Sequence, residues 1–174
     1  KHHIRHNTTP GASFQDNGYF WQTFIYAKRC MFIDKPYYMN RRDNPNSSVK
    51  NKEKVYCMNI EYDFIREIFM QKGNEKLWER FRPYYTYKKY YSYVCTLGRI
   101  SSEFTDEYLD RMSREFKRAF DLGEVDLSVF TPYTQKAIEL LVKDPPGYYQ
   151  RYILNKGSGL VNIFRRLRRF TGKV

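Results

Sequence analysis

Apolar residues recur every three or four positions along much of the chain, and this periodicity limits its fold more than any other feature. From Val49 to Lys72 the repeat predicts an amphipathic helix that is closed by Gly73. Its predicted buried residues are Val55, Met58, Tyr62, Ile65 and Phe69. A helix of this kind buries its apolar stripe against other helices, so the pattern indicates a mainly α fold.

Further helices are predicted on both sides of this one. The first runs from about Phe14 to Lys28, and its apolar face is predicted to contain Phe20, Phe24 and Ala27. A long helix covers Glu75 to Leu97. Pro83 lies inside this helix, where a kink is expected.

The last two predicted helices have local start signals. One begins at Thr105, where acidic residues occupy the first turn. The other begins at Thr131, an N-cap residue followed by Pro132 at the first helical position. The predicted buried residues of the helix from Thr105 are Tyr108, Met112, Phe116 and Phe120.

The segment CMFIDKPYYMN, residues 30–40, departs from the helical pattern. It is rich in residues that favour strands and is interrupted by Lys35-Pro36, so it predicts one or two strands. The predicted fold is therefore mainly α, a helical C-terminal portion that follows a short α/β piece. The predicted boundaries are an α/β piece over residues 1–50, a helical domain over 51–158 and a tail over 159–174.

The formal net charge of +12 is unevenly distributed, and this asymmetry predicts an anionic partner near the C-terminus. The segment GLVNIFRRLRRF, residues 159–170, has the pattern of a basic amphipathic helix. Such a helix suits the surface of an anionic membrane. It equally suits a last helix that packs on its own domain and exposes its arginines to water.

Cysteine and histidine usage predicts no metal site in this chain. Cys30, Cys57 and Cys95 form no C-x-x-C pair, which favours three buried thiols in a reducing compartment over a disulfide or a zinc site. His2 and His3, with His6, could bind a metal, but a frayed terminus is the favoured interpretation. A cytoplasmic location follows from these expectations.

The tyrosine run YYTYKKYYSY, residues 84–93, has two interpretations. Tyrosines beside Lys88 and Lys89 could stack on the bases of single-stranded nucleic acid. The same residues fall on shared helical faces, so packing with the hydroxyls at the rim of a core explains most of the run. Nucleic acid is accordingly not predicted as a partner.

The stretch SFQDNGYFWQ, residues 13–22, contains a carboxylate with two possible roles. Ser13 and Asp16 have the spacing of a capping box, in which each side chain satisfies a backbone N–H of the first helical turn. A carboxylate at this position could also accept a proton from a substrate. Asp16 is predicted to do both.

Residues 8–50 resemble the end of the catalytic domain of bacterial glycosyltransferase family 2 enzymes of the polysaccharide-building type. In that family an acidic motif begins a helix, and a strand and a Y-x-x-R-x-x-x-x-S segment follow. Phe14-Gln15-Asp16 matches the first motif, and the stretch from Tyr38 to Ser48 matches the second. Gln15 replaces the first acidic residue, so the resemblance assigns the catalytic base to Asp16 alone.

The resemblance implies the C-terminal part of an inverting transferase that has the GT-A type of fold. Such an enzyme moves a sugar from a nucleotide sugar to a saccharide or lipid-linked acceptor during cell-surface polysaccharide synthesis. The nucleotide-binding half and the D-x-D motif for Mn²⁺ or Mg²⁺ would precede residue 1, so this part is expected to be inactive alone and to hold no metal. The parent enzyme would be cytoplasmic and peripheral on the inner face of the membrane.

The resemblance also implies roles for individual residues around Asp16. Gly11 and Ala12 would let the acceptor sugar approach the backbone. Tyr19 or Trp21 would stack on its ring. Two arginines, Arg41 and Arg42, would bind the departing diphosphate. The alternative to the transferase is a helical adaptor that docks on membrane or protein through the basic tail and performs no chemistry.

Overall fold

The computed structural model describes residues 2–8, 13–39, 51 and 54–155, and these residues form helices and connecting segments without a strand. The α-helices are α1 (Gln15–Tyr26), α2 (Cys57–Phe69), α3 (Glu75–Leu97), α4 (Thr105–Asp121), α5 (Pro132–Lys143) and α6 (Pro145–Tyr148). Short 3-10 turns at Ser102–Phe104 and Leu127–Val129 precede α4 and α5, and a π-helical turn at Tyr149–Leu154 follows α6. The predicted mainly α class is confirmed.

The chain is divided into two compact units that share α3. Unit 1 comprises Lys1–Arg82 and Tyr91–Ser101, and unit 2 comprises Pro83–Tyr90 and Ser102–Val174. The domain boundaries predicted from the sequence stay predictions.

The core of unit 1 is built on α2. All five residues predicted to face the core are buried, as is the aromatic residue Tyr93 of α3. The Tyr62 hydroxyl lies 3.0 Å from Ser92 Oγ, and burial raises the pKa of the Tyr62 phenol above its ordinary value.

The predicted start of α2 was wrong, because the helix begins at Cys57 and not near Val49. Arg99 explains the late start. Its guanidinium donates hydrogen bonds to the backbone oxygens of Asn51 at 2.6 Å and Lys54 at 2.9 Å. Those carbonyls would otherwise accept the bonds of a first helical turn. Gly73, with φ of 92°, takes the left-handed conformation in the turn that follows α2.

The buried face of α1 also differs from the prediction. The face that packs against α2 carries Gly18, Trp21, Gln22 and Ile25. Phe20 and Phe24 were predicted to be buried, but 42% and 39% of their surfaces are exposed. Periodicity predicted that the more apolar residues face the core, whereas the buried residues include Gly18 and the amide side chain of Gln22.

Helices α3 and α4 follow the sequence prediction closely. Helix α3 has the predicted bounds and continues through Pro83. Helix α4 begins at Thr105, buries three of its four predicted core residues and leaves Phe120 half-buried. In unit 2 the hydroxyls of Tyr90 and Tyr148 lie 3.2 Å apart in the interior. The packing interpretation is confirmed for Tyr90, which is fully buried.

Residues 30–39 form no strand, so that part of the prediction was wrong. A strand needs hydrogen-bond partners on a neighbouring strand, and the described part of the chain offers none. The side chains with exposed apolar surface here are Met31, Phe32, Ile33, Tyr37, Tyr38 and Met39.

The cysteines are free thiols, as predicted, but the predicted burial was wrong. Cys30 and Cys95 are exposed, and Cys57 is half-buried.

Among the described helices, none has both the length and the apolar character to cross a bilayer.

The N-cap of α5 predicts a measurable stability effect. Thr131 Oγ1 accepts a hydrogen bond from the Thr134 backbone N–H at 3.3 Å, as the sequence predicted. Thr131→Ala is expected to lower the free energy of unfolding by about 1 kcal/mol. Chemical denaturation followed by circular dichroism measures it, and Thr131→Ser is the control that retains the hydroxyl. Equal losses in both variants would show that the cap contributes nothing.

Candidate functional site

The first turn of α1 holds the carboxylate that the sequence singled out, but no capping box forms there. The N-cap residue is Phe14, in the left-handed conformation with φ of 64°, and its side chain makes no capping bond. Ser13 is buried, and its Oγ accepts a hydrogen bond from Lys54 Nζ at 2.7 Å. The prediction that Asp16 caps the helix together with Ser13 was therefore wrong.

Asp16 is exposed to solvent on the first turn of α1. Its Oδ1 accepts a hydrogen bond from Asn17 Nδ2 at 3.2 Å, and the same Nδ2 donates to the Phe14 carbonyl at 3.0 Å. The Asn17 amide thus ties the carboxylate to the start of the helix. The helix dipole favours a negative charge at this end.

Two exposed aromatic side chains follow Asp16 by one helical turn. Tyr19 and Phe20 are 45% and 42% exposed, and residues three and four positions after Asp16 share its helical face. The Tyr19 ring stacks on the His6 imidazole, with centroids 4.9 Å apart and planes 13° apart. We call Asp16, Tyr19 and Phe20 the outer face of α1.

Trp21 lies on the opposite side of α1, within the core of unit 1. Only 4% of its surface is exposed, and its ring meets Phe69 edge-on at 5.8 Å between centroids. Of the two aromatic residues to which the sequence assigned sugar stacking, Tyr19 is therefore the one that a ligand can reach. Gly11, Ala12, Arg41 and Arg42 lie outside the described residues.

The N-terminal segment, residues 2–8, packs along α1, and its interpretation as a frayed terminus was wrong. The buried amide of Gln22 accepts from the Arg5 N–H at 3.1 Å and donates to the Arg5 carbonyl at 2.7 Å. His2 stacks on Tyr26 with centroids 4.0 Å apart and planes 9° apart. The available sequence signal for this docking was Gln22, one helical turn before Tyr26. Hydrophobic periodicity does not predict that a polar residue is buried.

Arg99 is a second residue that the sequence did not single out. Besides its two bonds to backbone carbonyls, its guanidinium lies 5.1 Å from the centroid of the Phe14 ring. It therefore connects the end of α3 to the start of α1 within unit 1. Its partners are distant in sequence, so no local motif could have identified it.

The described residues contain no group of three or more His, Cys, Asp or Glu side chains placed to hold a metal ion.

Comparisons of the chain with protein-family models, with curated proteins and with solved structures found no match.

Proposed function

We propose that the chain is the acceptor-side part of an inverting glycosyltransferase, which moves a sugar from a nucleotide sugar to a saccharide or lipid-linked acceptor. The outer face of α1 is the observation that supports this function most. It presents an exposed carboxylate one turn before two exposed aromatic rings. Carbohydrate sites combine these two features, because rings stack on the apolar faces of sugars and carboxylates accept hydroxyl protons.

In the proposed reaction an acceptor hydroxyl attacks the anomeric carbon of the donor from the side opposite the diphosphate. The new oxygen–carbon bond forms as the bond to the diphosphate breaks, and the diphosphate leaves with the electron pair. Asp16 takes the hydroxyl proton. A carboxylate suffices as base because the hydroxyl becomes strongly acidic only as its oxygen bonds to carbon.

The remaining roles in this proposal rest on the resemblance to glycosyltransferase family 2. Gly11 and Ala12 would admit the acceptor, and Arg41 and Arg42 would bind the departing diphosphate. The divalent metal that the resemblance implies would be held by the D-x-D motif of the full-length enzyme. None of the steps assigned to this chain passes through the metal. A cytoplasmic enzyme with the tail of residues 159–170 on the inner face of the membrane would meet lipid-linked acceptors there.

Steady-state kinetics of the full-length protein test this function. Release of nucleoside diphosphate is measured with a panel of nucleotide sugars and with oligosaccharides from cell-surface polysaccharides as acceptors. Tyr19→Ala is expected to raise the KM for the acceptor about 3–10-fold, because a ring contact contributes about 0.5–1.5 kcal/mol. The kcat should change little, since stacking acts on bound acceptor and transition state alike.

Tyr84→Ala is the matched control, because Tyr84 is also an exposed helical tyrosine but lies on α3. Its KM should equal that of the wild type. Equal effects of both substitutions would contradict acceptor binding at the outer face of α1. Absence of nucleoside diphosphate release with every donor would contradict the transferase itself.

A further inference from the structure

A polar cleft of about 470 Å³ lies in unit 1, away from the residues of the outer face. It is lined by the N-terminal segment, by α1 and by the end of α2 with the turn that follows it. Its volume falls in the range of small-molecule sites. Neither Asp16 nor Tyr19 lines it, so the sugar-transfer proposal does not account for it.

The ionised side chains that line the cleft are cationic. Arg5 and Lys72 line it together with the imidazoles of His2 and His3, and its lining includes no carboxylate among the described residues. The Arg5 guanidinium also lies over the Phe64 ring of α2, 6.0 Å from the centroid. A concave surface with cations and no acid concentrates positive potential and attracts anions.

Hydrogen bonds and ring stacking hold the walls of the cleft in place. The Gln22 side chain, only 3% exposed, forms hydrogen bonds with both backbone groups of Arg5. The His2 ring lies flat against Tyr26, whose hydroxyl accepts a hydrogen bond from Asn74 Nδ2 at 3.1 Å. Arg5 and His2 are therefore presented by an anchored segment, and preorganisation of this kind lowers the cost of binding.

We propose that this cleft binds the phosphate group of a small ligand, as a phosphomonoester or a diphosphate. The Arg5 guanidinium can donate two parallel hydrogen bonds to phosphate oxygens, and Lys72 adds a compact charge. The side-chain amide of Gln71, which also lines the cleft, supplies a neutral donor. The group can belong to a soluble phosphate compound or to a phosphate-bearing lipid. The proposal is independent of the reaction assigned to Asp16.

Calorimetry with inorganic pyrophosphate tests the soluble source. The chain is expected to bind it saturably, and Arg5→Gln and Lys72→Gln are each expected to weaken binding about tenfold, as for loss of one charge-assisted hydrogen bond. Arg5→Gln keeps the bonds to Gln22, because these use the Arg5 backbone. The matched control is Lys28→Gln, an exposed lysine of unit 1 outside the cleft, which should bind like the wild type. Melting curves check that each variant is folded.

Co-sedimentation with vesicles tests the lipid source. Phosphatidylcholine vesicles with and without phosphatidic acid, which carries a phosphomonoester, are compared for the same variants. Loss of binding in Arg5→Gln and Lys72→Gln but not in Lys28→Gln supports the proposal with a lipid ligand, even where pyrophosphate fails to bind. The proposal is overturned if neither probe binds, or if all three substitutions weaken binding equally. It is also overturned if none of the three substitutions weakens binding, or if a chain that ends at Lys156 no longer binds the vesicles and the full chain does not bind pyrophosphate.

Discussion

In the proposed transferase, Asp16→Asn is expected to lower kcat by about 10²–10⁴-fold, the usual effect of losing a general base. The amide has the shape of the carboxylate and can still accept the hydrogen bond from Asn17 Nδ2. It cannot take the hydroxyl proton. Since Asp16 makes no capping bond, folding should suffer only by the lost attraction to the helix dipole, roughly 0.3–1 kcal/mol. Steady-state kinetics and thermal melting measure the two effects separately.

The matched control for this substitution is Asp106→Asn. Asp106 is likewise an exposed aspartate in the first turn of a helix, α4, and loses the same charge. It should show a similar small change in stability and the kcat of the wild type. If the kcat of Asp16→Asn stays within a few-fold of the wild-type value, Asp16 acts only on the helix dipole and the assignment of the base is wrong.

Helix boundaries could be predicted where local signals define them. The N-cap at Thr131 and the acidic first turn after Thr105 act within four residues of chain, and both starts were placed correctly. The start of α2 could not be predicted in this way, because Arg99 competes for backbone carbonyls more than 40 positions earlier in the chain. Competition from a residue that is distant in sequence does not alter the local periodic pattern, so the pattern cannot predict it.

The site illustrates the same limit. The spacing of Ser13 and Asp16 satisfies the capping-box pattern, yet Lys54 takes the Ser13 hydroxyl and Phe14 becomes the N-cap residue. The carboxylate itself was correctly placed at the start of a helix. The N-terminal segment and its cleft were missed because they depend on Gln22, a polar residue whose burial becomes favourable only when both of its polar groups are paired.

The close approach of α1 to α2 depends on Gly18. A Cβ added to Gly18 would lie 2.9 Å from Glu61 Oε2 and 3.0 Å from two carbons of the Phe64 ring. Both of these side chains are buried and have little room to move. Helix propensity alone favours alanine over glycine by about 1 kcal/mol, whereas overpacking costs about 1–3 kcal/mol. Packing therefore decides the sign of the change in stability, and any side chain at this position should destabilise unit 1.

Gly18→Leu is expected to lower the free energy of unfolding of unit 1 by about 3 kcal/mol, and Gly18→Ala by about 1 kcal/mol, because the larger side chain must force the helices further apart. Gly98→Ala is the control, since its added Cβ would be 3.7 Å from the nearest atom. Both tryptophans of the chain, Trp21 and Trp78, belong to unit 1, so their fluorescence during denaturation reports on this unit alone. Wild-type stability of Gly18→Leu would show that α1 does not pack this closely on α2. The docked N-terminal segment and the cleft that it lines would then lose their support.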